Sequence, residues 1–411
     1  MNVFKNVVIA MMIISSTVFL FGYSAKAIGK ATVSEKVPTD PIAIPVAFLP
    51  DTSIAPHIQL VFALDATGSM GGLISTAKEK IWSIASSLSQ AQPAPKIEIG
   101  LVFYRDKGDA FVTKIIPMSS QLDDVYEKLM EIEAQGGGDS PESVNQGFDD
   151  AVNKITWASD DRTIKNLFIV GDLFPHMDYT DDVKYPITCA KAQEKGIIVN
   201  TILMGNNSET ARVWKEIAHC GKGEYIELNM NANNINIVTP YDADLKKVQE
   251  AIDASRLYYG GEKELYKNES KSLQSKTINA GSSVSSSATR ADYNMSTKES
   301  KEEYYGEKEL YNDVVKGRVS LDTIKTVFLP KILQNKTAAE RSAYVKQQIT
   351  YRDSLEKALS VASKNRQVYI ASELAKRDSG ELKKTFNNRV FESIQEQAKT
   401  KGVNIDGKVK Y

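Results

Sequence analysis

IQLVFALDATGSM, residues 58–70, is the stretch on which the fold turns. Residues 58–64 form an apolar run broken only by Gln59, as expected of a strand buried on both faces of a parallel sheet. Asp65, Thr67 and Ser69 follow at alternate positions, and Gly68 lets the backbone turn tightly between them. All three carry hard oxygen donors. That chemistry suits a divalent cation: Mg²⁺ takes octahedral oxygens and keeps waters, and Mn²⁺ or Ca²⁺ accepts similar donors. Two hydroxyls and one carboxylate do not hold an ion alone, so other loops must contribute. The alternative is a capping loop, with Asp65 and Ser69 capping the helix that follows.

Outward from this stretch, strand and helix patterns alternate. Residues 72–89 read as a helix, with Leu73, Ala77, Ile81, Ile84, Ala85 and Leu88 near a 3.6-residue period. Strands are expected at 97–104 and 110–116. The short charged turn between them implies a hairpin and an antiparallel edge strand. Helices follow at 122–132 and 141–155, the second with Pro141 in its first turn. Strand 166–170, helix 183–195, strand 197–204, helix 209–219 and strand 224–228 complete the pattern. Such alternation predicts an α/β fold, a doubly wound and mostly parallel sheet with helices on both faces. Ligands of such sheets sit beyond the carboxyl ends of the strands. There Asp172 follows strand 166–170, and Gly136-Gly137-Gly138-Asp139-Ser140-Pro141-Glu142 leads into a helix.

D-x-T-x-S after the first strand, an acidic Gly-rich second loop and an Asp ending the fourth strand together resemble the von Willebrand factor A domain, over residues 57–232. The resemblance implies a metal-ion-dependent adhesion site with Asp65, Thr67 and Ser69 as first-loop ligands and Asp172 as the later carboxylate. Many members place a threonine in the second loop. Here Asp139-Ser140-Pro141-Glu142, with Gly147-Phe148-Asp149 behind it, is similar to the loop of integrin β subunits. That likeness implies Glu142 as a further ligand and Asp139 as a ligand or part of a second site. Val170-Gly171-Asp172-Leu173-Phe174-Pro175-His176 resembles exported bacterial members. The function implied is a protein-binding module, for adhesion or scaffolding, whose partner completes the coordination with an acidic side chain. No small-molecule substrate is expected. A hydrolase that activates water on the same ion is the alternative, with His176 as its base. A third reading places binding in the helical tail.

Other candidates read more plainly. Asp106 and Asp109 look like a solvated turn on the same rim. Gly136-Gly137-Gly138 lacks the Lys-Ser/Thr of a phosphate-binding loop.

The ends of the chain have their own patterns. Lys5, the apolar residues 7–14 and 18–21, and Ala25-Lys26-Ala27 read as a signal peptide, 1–27, cut after Ala27. The expected location is therefore periplasmic or extracellular, where Cys189 and Cys220 are free to pair or to remain small buried hydrophobes. Residues 28–56 read as an extended leader. A formal net charge of -1 on 411 residues offers nucleic acid no footing. Residues 233–312 read as a linker, flexible across 268–303, where large apolar residues are few. YYGGEKELY (258–266) and YYGEKELY (304–311) flank it, a local duplication or a pair of docking strips. Residues 313–402 read as a separate helical hairpin or bundle, in which Phe386, Val390, Ile394 and Ala398 recur every four residues. Residues 403–411 are a tail.

Overall fold

The computed structural model describes residues 55–138, 141–229 and 235–411. The expected signal peptide, nearly all of the leader, and Asp139 lie outside the described residues.

Six strands form one sheet: β1 (His57–Asp65), β2 (Lys96–Tyr104), β3 (Thr113–Ser119), β4 (Ile164–Gly171), β5 (Ile198–Met204) and β6 (Lys222–Leu228). Their order is β3-β2-β1-β4-β5-β6, and only β3 runs antiparallel. The central strands are apolar on both sides because helices cover both faces. On one face α1 (Gly71–Leu88) and α2 (Leu122–Met130) pack against Leu60, Phe62 and Phe168. On the other, α3 (Val144–Asn153), α4 (Tyr185–Glu194) and α5 (Ser208–Cys220) cover Val61, Ala63 and Ile169.

Most element boundaries shift by one or two residues, and two starts shift by three, each beside a hydrogen bond from outside the element. The edge strand starts at Thr113, since the Arg105 N–H donates to the Val112 carbonyl at 3.0 Å and draws residues 110–112 into the turn. Helix α3 starts at Val144, and Pro141 and Glu142 precede it. Glu142 is extended in a parallel bridge with Pro175, donating to the Phe174 carbonyl at 3.2 Å and accepting from the His176 N–H at 3.1 Å.

Cys189 in α4 and Cys220 at the end of α5 form a disulfide, with 5.9 Å between their Cα atoms and a sequence separation of 31. Closing a loop of that length in the unfolded chain stabilises by about 3–4 kcal/mol. Replacing both cysteines by alanine is expected to lower the urea-unfolding stability by that order, against the same measurement on the parent.

The C-terminal half departs most from the sequence reading. It contains α6 (Asp242–Ser255), α7 (Glu262–Gly281), α8 (Val284–Asn294), α9 (Lys298–Tyr305), α10 (Leu310–Val315), α11 (Lys331–Gln334), α12 (Ala338–Leu374), α13 (Ser379–Lys383) and α14 (Phe386–Thr400). The expected flexible linker is thus corrected to helices α7, α8 and α9. Small side chains such as Ser286, Ser287, Ala288 and Ala291 let α8 lie close to its neighbours. Arg290, only 1% exposed, pairs with Asp123 of α2 and Asp253 of α6. The two repeat copies pair with each other: Tyr258 bridges Glu309, and the Tyr259 N–H donates to the Lys308 carbonyl at 3.1 Å. Their tyrosines are buried except Tyr266, so the pairing removes the docking-strip reading. The expectation of a separate helical domain is also corrected. Phe386, Val390, Phe391, Ile394 and Ala398 of α14 lie in the core on the α1 face of the sheet.

Lys80 of α1 is buried and donates to the Ile235 carbonyl at 2.6 Å. Burial pushes its ammonium down to about 8 from an ordinary 10.5. Between those values the unfolded chain holds a proton that the folded chain has released, so folding stability rises with pH across that window. Urea midpoints from pH 7.5 to 10.5 are expected to show this rise, on the order of 2 kcal/mol, in the parent and not in Lys80→Met.

Candidate metal centre

The loops following β1 and β4 and the segment entering α3 meet at the carboxyl end of the sheet. Asp65 is fully buried at the end of β1. Its Oδ1 accepts from the Thr67 N–H at 2.8 Å and from Thr67 Oγ1 at 2.7 Å. Thr67 Oγ1 stands 3.3 Å from Ser69 Oγ, and the Ser69 hydroxyl hydrogen-bonds Asp172. The four side chains therefore form one continuous chain of oxygens. Neither Thr67 nor Met70, which precede the first helical turns here, makes a side-chain cap, so these residues are not spent on capping α1.

Glycine brings the second loop against the first. Gly136 and Gly137 have φ of 81° and 73°, in the left-handed region. A Cβ on Gly137 would stand 2.8 Å from Thr67 Cβ and 3.2 Å from Glu142 Oε1, so Thr67 and Glu142 close on this glycine together. The Gly68 N–H donates to the Gly136 carbonyl at 3.0 Å, and the Gln135 N–H to the Ala66 carbonyl at 3.0 Å.

Arg105, which the sequence reading passed over, ties the loops. Its Nε donates to the Ala66 carbonyl at 3.0 Å and its Nη2 to the Glu133 carbonyl at 2.7 Å. Its guanidinium lies 4.3 Å from the Phe111 ring centre. An arginine straight after a buried strand was the available signal. Beneath the site, the Tyr104 hydroxyl donates to the Val170 carbonyl at 3.0 Å, linking β2 to β4. Asp106 is corrected from a solvated turn to a buried brace that accepts from Ser143 at 2.9 Å and from Tyr179 at 2.8 Å. Asp109 accepts from the Gly137 N–H at 3.1 Å. His176 is buried, stacked at 3.9 Å on Tyr179 and bonded to Asp178 at 2.8 Å.

Electrostatics sets this cluster apart. Asp65 Oδ2, Glu142 Oε2 and Asp172 Oδ1 are buried and have no hydrogen-bond partner among the described residues. Burial pushes the Asp65 carboxyl up to about 7, and Asp172 adds to the rise. Burial pushes Glu142 up to about 9, reinforced by Asp65, Asp106, Asp172 and Asp109. Burial also raises Asp172. Among the described residues no three acidic, His or Cys side chains close up to chelate a metal by themselves. The donor set is instead mixed, carboxylates with hydroxyls. Orphaned acceptor oxygens that repel one another fit a hard cation coordinated partly through water.

The von Willebrand factor A domain family model matches residues 59–233. That span holds the sheet from Gln59 onward and every loop of the site described above. The chain carries a von Willebrand factor A domain. The von Willebrand factor A domain-containing protein 7 of Rattus norvegicus is 40% identical over 91 residues, 22% of this chain and 9% of that protein. A putative ariadne-like RING finger protein of Acanthamoeba polyphaga mimivirus is 33% identical over 86 residues, 21% of this chain and 8% of that one. The matched stretches thus span less than a tenth of these relatives. Among solved structures, an aerotolerance-related membrane protein from Bacteroides fragilis is 17% identical with a TM-score of 0.30, over 44% of this chain and 95% of that chain. Within the A domain, Asp65, Thr67, Ser69, Glu142 and Asp172 are gathered at one mouth. The family match ends at residue 233, short of α14, although α14 belongs to the same core.

Proposed function

We propose that this A domain is a cation-dependent protein-binding module. Asp65, Thr67, Ser69, Asp172 and Glu142 hold a divalent cation, Mg²⁺ first among the candidates, and a partner's carboxylate completes its coordination. The observation that supports this reading is the set of three buried carboxylate oxygens, without partners among the described residues, at the carboxyl end of the sheet. A resident cation neutralises them. Its remaining position then attracts an anionic oxygen most strongly where water is excluded. The chain is exported in this reading, and the Cys189–Cys220 disulfide suits an oxidising compartment.

Calorimetry tests the proposal. The full chain is titrated with Mg²⁺, and then, in Mg²⁺ or in EDTA, with a short aspartate-containing peptide. Saturable Mg²⁺ binding and peptide binding only in Mg²⁺ are expected, both lost in Asp65→Asn. Mg²⁺ binding unchanged by that substitution overturns the site, and peptide binding unchanged by EDTA overturns the mechanism.

A further inference from the structure

A cavity of about 750 Å³ opens between α1, α8, α12 and the C-terminal tail. That volume lies within the roughly 300–1,000 Å³ usual for small-molecule sites. Ser86 and Ser89 form part of its wall, fifteen or more residues along α1 from Gly71. At about 1.5 Å per helical residue, they lie roughly 20 Å from the metal loops. The cavity is therefore separate from the proposed cation site.

Its lining has a distinct chemistry. Seven of the side chains are hydroxyls and three are glutamines, whereas Met295 and Leu359 are the apolar members. Three cations, Lys301, Arg366 and Lys410, face three acids, Asp292, Glu356 and Asp406. These charges are already engaged. Lys301 pairs with Glu356 at 2.5 Å, and Arg366 with Asp292 at 3.0 Å. Lys410 donates to Gln367 at 3.2 Å, and Asp406 accepts from Asn404 at 2.7 Å. The wall thus offers many neutral donors and acceptors and no net charge, so it selects against charged ligands.

The Ser363 hydroxyl hydrogen-bonds the Asp292 carboxylate. Asp292 Oδ2 accepts from Arg366 and from Gln367, each at 3.0 Å, which fixes the carboxylate in place. A fixed carboxylate among hydroxyls and amides matches the vicinal hydroxyls of a polyol. The tail closes one side: the Lys410 N–H donates to Ser87 Oγ at 2.8 Å, and Gln90 Nε2 to the Lys408 carbonyl at 2.8 Å.

We infer that this cavity binds an uncharged polyhydroxyl ligand, of the size class of a disaccharide. The test is ligand-observed NMR on the full chain with maltose, trehalose and sucrose, beside glucosamine and glucuronate as charged counterparts. At least one neutral disaccharide binds, and neither charged sugar competes with it. Ser360→Trp, at an exposed position of α12 on the cavity wall, blocks entry without disturbing the core. Asp292→Asn weakens binding roughly tenfold by removing one charge-assisted hydrogen bond. It leaves Arg366 its partner Asp242 at 2.8 Å. Unchanged thermal unfolding in Ser360→Trp confirms that its loss of binding is local. The inference is overturned if no neutral disaccharide binds, if only the charged sugars bind, or if binding is undiminished in both variants.

Discussion

Millimolar Mg²⁺ is expected to raise the unfolding temperature of the full chain, and Asp65→Asn to abolish the rise. An ion that binds only the folded state stabilises it by about 2.7 kcal/mol at a hundred times its Kd. Without the ion, Asp65, Asp172 and Glu142 oppose one another in a buried site, with three acceptor oxygens unpartnered among the described residues. Asn keeps the shape of Asp65 and an oxygen for the Thr67 hydrogen bonds while removing one of those charges. Asp65→Asn is therefore expected to be at least as stable as the parent in EDTA and less stable than it in Mg²⁺. This inversion separates a metal ligand from a residue that only holds the loop: a loop-holding residue lowers stability equally in both buffers. Differential scanning calorimetry in EDTA and in Mg²⁺ decides between them.

The second large effect lies at the other end of the chain. Ile394→Ala is expected to destabilise the fold by roughly 2–5 kcal/mol, and Phe386→Ala by about 3–5 kcal/mol. Val390 and Ile394 are fully buried. The Phe386 ring lies 6.1 Å from that of Phe62 on β1, and Phe62 in turn stacks at 5.5 Å on Phe168 of β4. Helix α14 also meets β4, β6 and α1. Removing residues 376–411 uncovers Phe62, Phe168, Ile202 and Ile226 on that face of the sheet. The shortened chain is expected to bind a hydrophobic dye or to aggregate, and residues 55–235 alone to behave likewise. A truncated chain that unfolds cooperatively at the parent's urea midpoint would restore the view of the tail as a separate bundle.

Several features were legible in the sequence for a shared reason: each depends on neighbouring residues. The apolar runs of β1, β4 and β5 need cover on both faces, whatever supplies it. The spacing of Asp65, Thr67 and Ser69, with Asp172 after a later strand, placed these residues at the carboxyl end of the sheet, where the structure has them. Features that depend on distant partners were not legible. The start of α3 is fixed by Glu142 meeting Phe174 and His176. The buried residues Val345, Arg352, Leu359 and Arg366 of α12 recur every seventh position. The two arginines hide this seam from any count of apolar residues. Arg352 becomes a core residue only by meeting Glu309, and Arg366 only by meeting Asp242, 124 positions away in sequence.

The sequence alone therefore determined the strand order of chemistry: a buried strand, an oxygen-rich turn, and later carboxylates at matching strand ends. Local pattern suffices there, because a parallel sheet brings the carboxyl ends of its strands to one edge. Only the tertiary structure decided that the segment read as a linker is helical and that α14 completes the sheet's cover. Both outcomes rest on pairings between residues more than a hundred positions apart, Arg290 with Asp123 and Phe386 with Phe62. Residue periodicity marks a face as apolar or charged, whereas the surface that meets it is set by how the whole chain packs.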